Sequence, residues 1–380
     1  MVEKGVLLKT LFFTSILLLI SIIGCIEKDI TNKPIDDKVT EFKLDHPLIL
    51  PDWKDGEYHD YFGTVDKLNE LNSKYSNSTH IFTIGESILG KDIWCIRITN
   101  ENSHRIKSSC LIDGCIHGNE WESGEACLYL AEFLLINNYK NSSISNILNK
   151  SVIYIVPLVN PDGRQDDKRW NNNGVDLNRN FDVFFGKIRG RCIPIGKLFG
   201  IIKIPYIKFP RLGIWFSNSG RRAFSEPESK AIMDLTKELD NQDFSFYVNC
   251  HTAVHTVSAA WLTHKPPFDL TNQERIVGDY VLDWVDENTE YESFRIPLKV
   301  GGVVTDWCFK EYHIPSFCFE ILAKEYEPFM GHGKHDNLVH WMKTTLPFFM
   351  FLIVNIDNLR QWKIPYNNPS LPEDIPPDPI

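Results

Sequence analysis

His117-Gly118-Asn119-Glu120 sets an imidazole and a carboxylate three residues apart, so one turn of chain can aim both at a single metal ion. Both groups are good zinc ligands. Alone the spacing is unspecific, because a chain with 12 histidines meets it about once by chance. Its company is more telling. Asn160-Pro161-Asp162-Gly163 follows an apolar stretch, where an active-site loop would start. Arg169 stands ahead of Asp176-Leu177-Asn178-Arg179-Asn180-Phe181, and Phe224-Ser225-Glu226-Pro227-Glu228 offers a serine to cap a helix. Asn249-Cys250-His251-Thr252 closes another apolar stretch. Gly301-Gly302 and Asp306-Trp307 precede Phe317-Cys318-Phe319-Glu320, where a carboxylate is costly to bury unless it has a partner or a polar task.

These residues need elements to hold them. The spacing of Phe62, Val65, Leu68 and Leu71 predicts a helix from Phe62 to Tyr75. Strands are expected at Ile81 to Ile84 and Ile93 to Ile98, around a turn at Gly90, and at Ser109 to Ile116. A mostly apolar helix follows from Trp121 to Leu135. Val152 to Val159 is apolar almost throughout, as in a strand buried on both faces. Further on come a helix at Glu226 to Leu239, a strand at Phe244 to Asn249, a helix at Glu274 to Val285 and a strand at Ser316 to Ile321. Leu338 to Leu359 reads as a long apolar helix broken or kinked near Pro347. Strands alternating with helices indicate an α/β domain.

Taken in order from about Tyr58 to Leu322, the motifs resemble the zinc metallocarboxypeptidases of the carboxypeptidase A family. The resemblance implies a mixed, mostly parallel, twisted eight-stranded sheet with helices on both faces. It implies one zinc per chain, held by His117, Glu120 and His251. Three protein ligands leave the open position that catalytic zinc needs. It implies hydrolysis of the C-terminal peptide bond of peptides or proteins by a zinc-bound water, with Glu320 as general base. Arg169 would stabilise the oxyanion; Lys168 is the alternative if the register slips by one. Asn178 and Arg179 would grip the substrate's terminal carboxylate, which suits a guanidinium fork. Asp176 would orient a zinc histidine, His117 by preference. Counting back from Glu320 puts neutral Thr305 at the floor of the side-chain pocket, which predicts a preference for neutral, apolar C-terminal residues.

Two departures qualify the resemblance. The family has a mobile tyrosine shortly before the Gly-Gly, where this chain reads Arg295-Ile296-Pro297-Leu298-Lys299-Val300; Tyr291 is the nearest. The missing hydroxyl costs one substrate hydrogen bond, roughly 0.5–1.5 kcal/mol. It keeps open a reading of the same fold acting on cell-wall peptides, and an inactive binding module is the reading from another class. The second departure is an insertion, 183–216, in which seven Lys and Arg but no acidic residue are interleaved with Ile, Phe and Leu. It reads either as a local extension of the domain or as a surface that lies on anionic membrane.

The remainder of the chain sets the context. With 380 residues, 43% hydrophobic and 24% charged, it can bury a large core. A net charge of −10 disfavours a nucleic-acid binder. Lys4 and Lys9 precede an apolar run from Leu11 to Gly24, the layout of a secretory signal. Ile22-Ile23-Gly24-Cys25 resembles a prokaryotic lipobox, with Cys25 as the lipidated residue. An uncleaved anchor helix and plain secretion are the alternatives, and all three place the protein outside the cytoplasm. The expected organisation is a signal peptide at 1–24, a lipidated N-terminus and tether at 25–56, the catalytic domain at 57–363 and a Pro-rich tail at 364–380. The interval after Cys25 is too short for a folded pro-domain, so no zymogen step is expected. Buried free thiols are preferred for the remaining eight cysteines.

Overall fold

The computed structural model describes residues 47–187, 192–194, 206–209, 214–252, 254–260, 270–295, 300–322 and 337–366. The signal-like run, Cys25, most of the proposed tether and nearly all of the tail lie outside the described residues. Among the described residues no helix is long and apolar enough to cross a membrane.

The elements are α1 (Tyr61–Lys74), β1 (Thr79–Glu86), β2 (Asp92–Ile98), β3 (Ser108–Asp113), α2 (Trp121–Asn138), α3 (Ser142–Leu148), β4 (Ser151–Val156) and α4 (Pro161–Asp166), followed by a single 3-10 turn, Leu177–Arg179. Then come β5 (Cys192–Pro194), β6 (Tyr206–Phe209), β7 (Ile214–Ser217), α5 (Pro227–Asp240), β8 (Phe244–Thr252), β9 (Thr256–Ala259), α6 (Asn272–Asn288) and β10 (Glu292–Ser293). The domain ends with α7 (Val304–Tyr312), β11 (Ser316–Ile321), α8 (Leu338–Val354) and α9 (Ile356–Arg360).

One sheet has eight strands in the order β1-β2-β4-β3-β8-β11-β9-β10. β4, β3, β8 and β11 run parallel, as do β9 and β10. The β1–β2, β2–β4 and β11–β9 pairs are antiparallel. The expected α/β domain with a mixed eight-stranded sheet is therefore present. Every residue of β3 and of β8 is buried, which requires cover on both faces. Their carboxyl ends, Asp113 and Thr252, open on one edge of the sheet, where ligands bind in open α/β folds. The insertion forms its own three-stranded sheet, β5-β7-β6.

Several expectations need correction. Pro347 does not break α8; the helix runs through it and ends at Val354. Asn355 makes the break, its side chain accepting from Tyr366 N and donating to Phe351 O and Tyr366 O. Ser225 does not cap α5. The N-cap is Glu226, and Ser225 Oγ instead donates to Glu226 Oε1. Residues 47–56, read as the end of the tether, are held to the domain. Ile49 exchanges two hydrogen bonds with the Asn137 side chain, and Trp53 Nε1 donates to Glu132 Oε2. The seven cysteines whose side chains are described are free thiols, six of them buried.

Candidate metal centre

The site is built from strand ends. After Asp113 the chain turns through Gly114 and Cys115, the latter at φ 49°, and presents His117. Gly118 is required here: a Cβ would lie 2.0 Å from the Gly163 carbonyl carbon and 2.2 Å from Arg164 N. That close approach locks the His117 loop against α4. Ser123 Oγ donates to Glu120 O at 2.5 Å and accepts from Cys115 N at 2.8 Å, tying the start of α2 to the end of β3. His251 stands one residue before the end of β8. The β8–β11 register puts Glu320 opposite it on the neighbouring parallel strand.

His117, Glu120 and His251 converge. His117 Nδ1 is 2.8 Å from Glu120 Oε1, His251 Nδ1 is 2.8 Å from Glu120 Oε2, and the two Nδ1 atoms are 3.1 Å apart. All three residues are buried, and among the described residues they are the one group able to hold a metal ion. A tetrahedral zinc with bonds of ~2.0–2.1 Å needs donor atoms roughly 3.3 Å apart. The trio fits with a few tenths of an ångström of opening. The far ring nitrogens have acceptors: His117 Nε2 faces Asp176 Oδ1 at 3.1 Å, and His251 Nε2 contacts Asn249 Oδ1. Each Nδ1 is thereby left to face a metal.

The charges are matched. Burial would raise the Glu120 carboxyl, but His117 and His251 outweigh it and hold it well below the usual range. Burial would likewise raise Asp176, yet Arg169, Arg179 and His117 hold it well below that range. Burial pushes Glu320 up to about 7; His251 and Arg169 oppose the rise and Glu120 adds to it.

The remaining expected residues fall around the trio. Arg169 donates to Asp176 Oδ2 at 3.2 Å and to Glu120 Oε1 at 3.0 Å. Its loop is pinned by Asn171, whose Nδ2 donates to both Glu226 and Glu228. Asn178 turns its amide nitrogen to within 3.2 Å of His251 Nε2 and accepts from Val304 N. Arg179 lies in the same short turn, under Gly302. There φ is +79° and a Cβ would sit 2.1 Å from Arg179 O, so only glycine lets the two loops meet. Arg179 Nε and Glu320 Oε2 are buried atoms with no hydrogen-bond partner among the described residues. Thr305 is buried on α7. Tyr291 is packed in the core, its hydroxyl 2.9 Å from Thr344 Oγ1, and cannot act as a mobile lid.

Asp113 and Asn249, which sit behind His251, received no role from the sequence. The available signal was a polar residue directly after an apolar run in each strand, Leu111-Ile112 before Asp113 and Phe246-Tyr247-Val248 before Asn249, four before His117 and two before His251.

The zinc carboxypeptidase family model matches residues 64–198. Carboxypeptidase M of Mus musculus is 30% identical over 142 residues, covering 34% of this chain and 32% of that protein. Carboxypeptidase E of Caenorhabditis elegans is 35% identical over 159 residues, covering 37% and 33%. The chain thus spans about a third of the length of these curated relatives. Among solved structures, carboxypeptidase A from Helicoverpa armigera aligns with a TM-score of 0.62 at 22% identity, covering 80% of this chain and 74% of that one. Thrombin activatable fibrinolysis inhibitor aligns at 0.64 and 19%, covering 80% and 75%. The chain carries a zinc carboxypeptidase segment and has the carboxypeptidase A fold.

Proposed function

We propose that this chain is a zinc-dependent metallocarboxypeptidase that removes C-terminal residues from peptides or proteins outside the cytoplasm. The observation that carries this reading is a pair of buried atoms with no hydrogen-bond partner among the described residues, a donor on Arg179 and an acceptor on Glu320, together with a metal-ready trio. A substrate ending in a carboxylate satisfies the first, and a proton in transit satisfies the second. His117, Glu120 and His251 would hold the zinc, whose chemistry when bound would be to polarise a carbonyl and acidify water. Glu320 Oε2 takes up the proton released at attack and returns it to the leaving amine. Arg169, steadied by Asp176, places its guanidinium where negative charge grows on the carbonyl oxygen. Arg179 selects a free C-terminus, because an internal peptide bond offers no charge to pair with.

The test is a panel of blocked dipeptides and cell-wall fragments, with zinc content measured on the same protein. Release of the C-terminal residue from blocked dipeptides is expected, with Leu or Phe leaving faster than Arg because Thr305 is neutral. Faster release of Arg would assign the pocket to the carboxylate of neighbouring Asp306. Cleavage of wall fragments alone would move the substrate class, and the absence of a lid tyrosine makes that the outcome to check.

We further infer that a lipid on Cys25 anchors the protein and that the insertion rests on anionic lipid. Residues 183–216 contain seven basic and 19 apolar residues, five Gly and three Pro, and nothing else. This +7 segment sits in a chain of net charge −10. Each basic residue near such a surface contributes about 1 kcal/mol, and apolar side chains enter the interface. A form lacking residues 1 to 25 is expected to bind anionic but not neutral vesicles, to release them in salt, and to lose binding when Lys197, Lys203 and Lys208 become Glu. No binding at low salt would end this reading.

A further inference from the structure

We propose that Asp113, which touches neither metal ligands nor substrate, decides which nitrogen of His251 faces the metal site, acting through Asn249. The proposal rests on His251 being a metal ligand. Three residues of β8, Tyr247, Asn249 and His251, alternate along one face of the strand. Asp113 pairs with Asn249 in the parallel β3–β8 register. All four side chains are buried, three of them with no exposure at all. Tyr247 donates its hydroxyl to Asp113 Oδ2 at 2.6 Å, and Asn249 Nδ2 donates to Asp113 Oδ1 at 2.5 Å. Asn249 Oδ1 is then the atom left to meet His251 Nε2.

The direction of this chain matters because a second amide flanks the same nitrogen. Asn178 Oδ1 is committed to Val304 N at 2.9 Å, so its Nδ2, a donor, faces His251 Nε2 at 3.2 Å. Nε2 thus lies between a fixed donor from Asn178 and whatever Asn249 presents. With Asn249 Oδ1 toward it, Nε2 carries the proton and Nδ1 keeps a lone pair for the metal. With Asn249 reversed, Nε2 faces two donors, must accept, and forces the proton onto Nδ1, which closes that nitrogen to metal. An asparagine side chain is nearly symmetric in shape, so packing alone does not choose between these states. Asp113 keeps Oδ2 engaged with the Tyr247 hydroxyl and offers Asn249 its accepting Oδ1, and this makes the choice.

The test is the zinc dissociation constant of the full chain, measured by chelator competition. Asp113→Leu leaves Asn249 free to reverse and is expected to weaken zinc 10–100-fold, the usual effect of losing a group behind a metal ligand. Asn249→Asp sets two carboxylates face to face and is expected to weaken zinc similarly. Adding Asp113→Asn to it restores the donor order: Asp at 249 accepts from His251, while Asn at 113 donates to it and accepts from Tyr247. The double variant is expected to return to within about threefold of wild type. Histidine nitrogen shifts of the zinc-loaded chain report the tautomer directly, with the proton of His251 on Nε2 in wild type and in the double variant. Unchanged zinc affinity in Asp113→Leu, or no rescue in the double variant, overturns the proposal. Should Asp113→Leu not fold, the single and double variants at 249 and 113 decide it. Zinc retained undiminished by His251→Ala overturns the metal assignment instead, and this proposal with it.

Discussion

Replacing Glu320 by Gln is expected to leave the metal in place and to lower turnover at least ~100-fold, the lower end for loss of a general base. The amide keeps the shape of the carboxylate, so β11 and its pairing with β8 are undisturbed. What goes is the proton acceptor at Oε2, an atom with no other partner among the described residues. The pH profile gives an independent reading. The base must be ionised, so activity rises with pH through the pKa of Glu320. Burial sets that value at about 7 in the metal-free protein. A neighbouring dication favours the charged form, so the acid limb of the loaded enzyme falls below 7. The Gln variant should lack that limb. Turnover near wild type, with the limb retained, would show that another group carries the proton.

His251→Ala should remove most bound zinc and, with it, activity. The three donor atoms lie within a few tenths of an ångström of the spacing the ion needs, and removing one leaves only two ligands. The remaining pair, His117 and Glu120, would still bond to each other at 2.8 Å, so the fold should survive the change. Thermal unfolding with and without added zinc is the check. A ligand that binds only the folded state raises the melting temperature as its concentration exceeds Kd. Wild type should show that rise and the variant should not. One zinc held with equal affinity after the change would mean that the ligands lie elsewhere.

The sequence made parts of this arrangement readable and hid others for physical reasons. The strand Ser316–Ile321 was expected with its observed ends, its start marked by Pro315 ahead of a short, mostly apolar run. The helices α1, α2, α5 and α6 were legible from their apolar spacing, to within a few residues at each end. The end of α8 was not. A proline looked like the breaker, whereas Asn355 breaks the helix by bonding to Tyr366, 11 residues further on. The seat of residues 47–56 was hidden for the same reason, since Ile49 and Trp53 find partners on α2 that are 88 and 79 residues away. β9 and the turn at Leu177–Arg179 are too short for any period to show. Within the site, ordered motifs brought out the residues meant to touch metal and substrate. Asp113 and Asn249 stayed silent because their meaning lies in strand register, which appears only once β3 lies beside β8.

The two ends of the insertion have a consequence for how this domain could have acquired it. Asp176 N donates to Asn218 O at 2.9 Å, Phe224 N donates to Asn180 O at 2.7 Å, and Gly302 N donates to Val183 O at 2.7 Å. Among the described residues the chain therefore departs and returns at one seam, in which Val183, the first residue of the insertion, takes part. Lengthening such a loop from about four residues to about thirty is three doublings, or about 2 kcal/mol of closure entropy. A cost that small is easily carried, and the core's demands on the segment that the described residues show lie at its start, where Val183 is buried and Phe184 packs against the core. The seam is a natural graft point. A version in which a short Gly-Ser bridge spans it should fold, keep its zinc and serve as the parent on which other surfaces are exchanged.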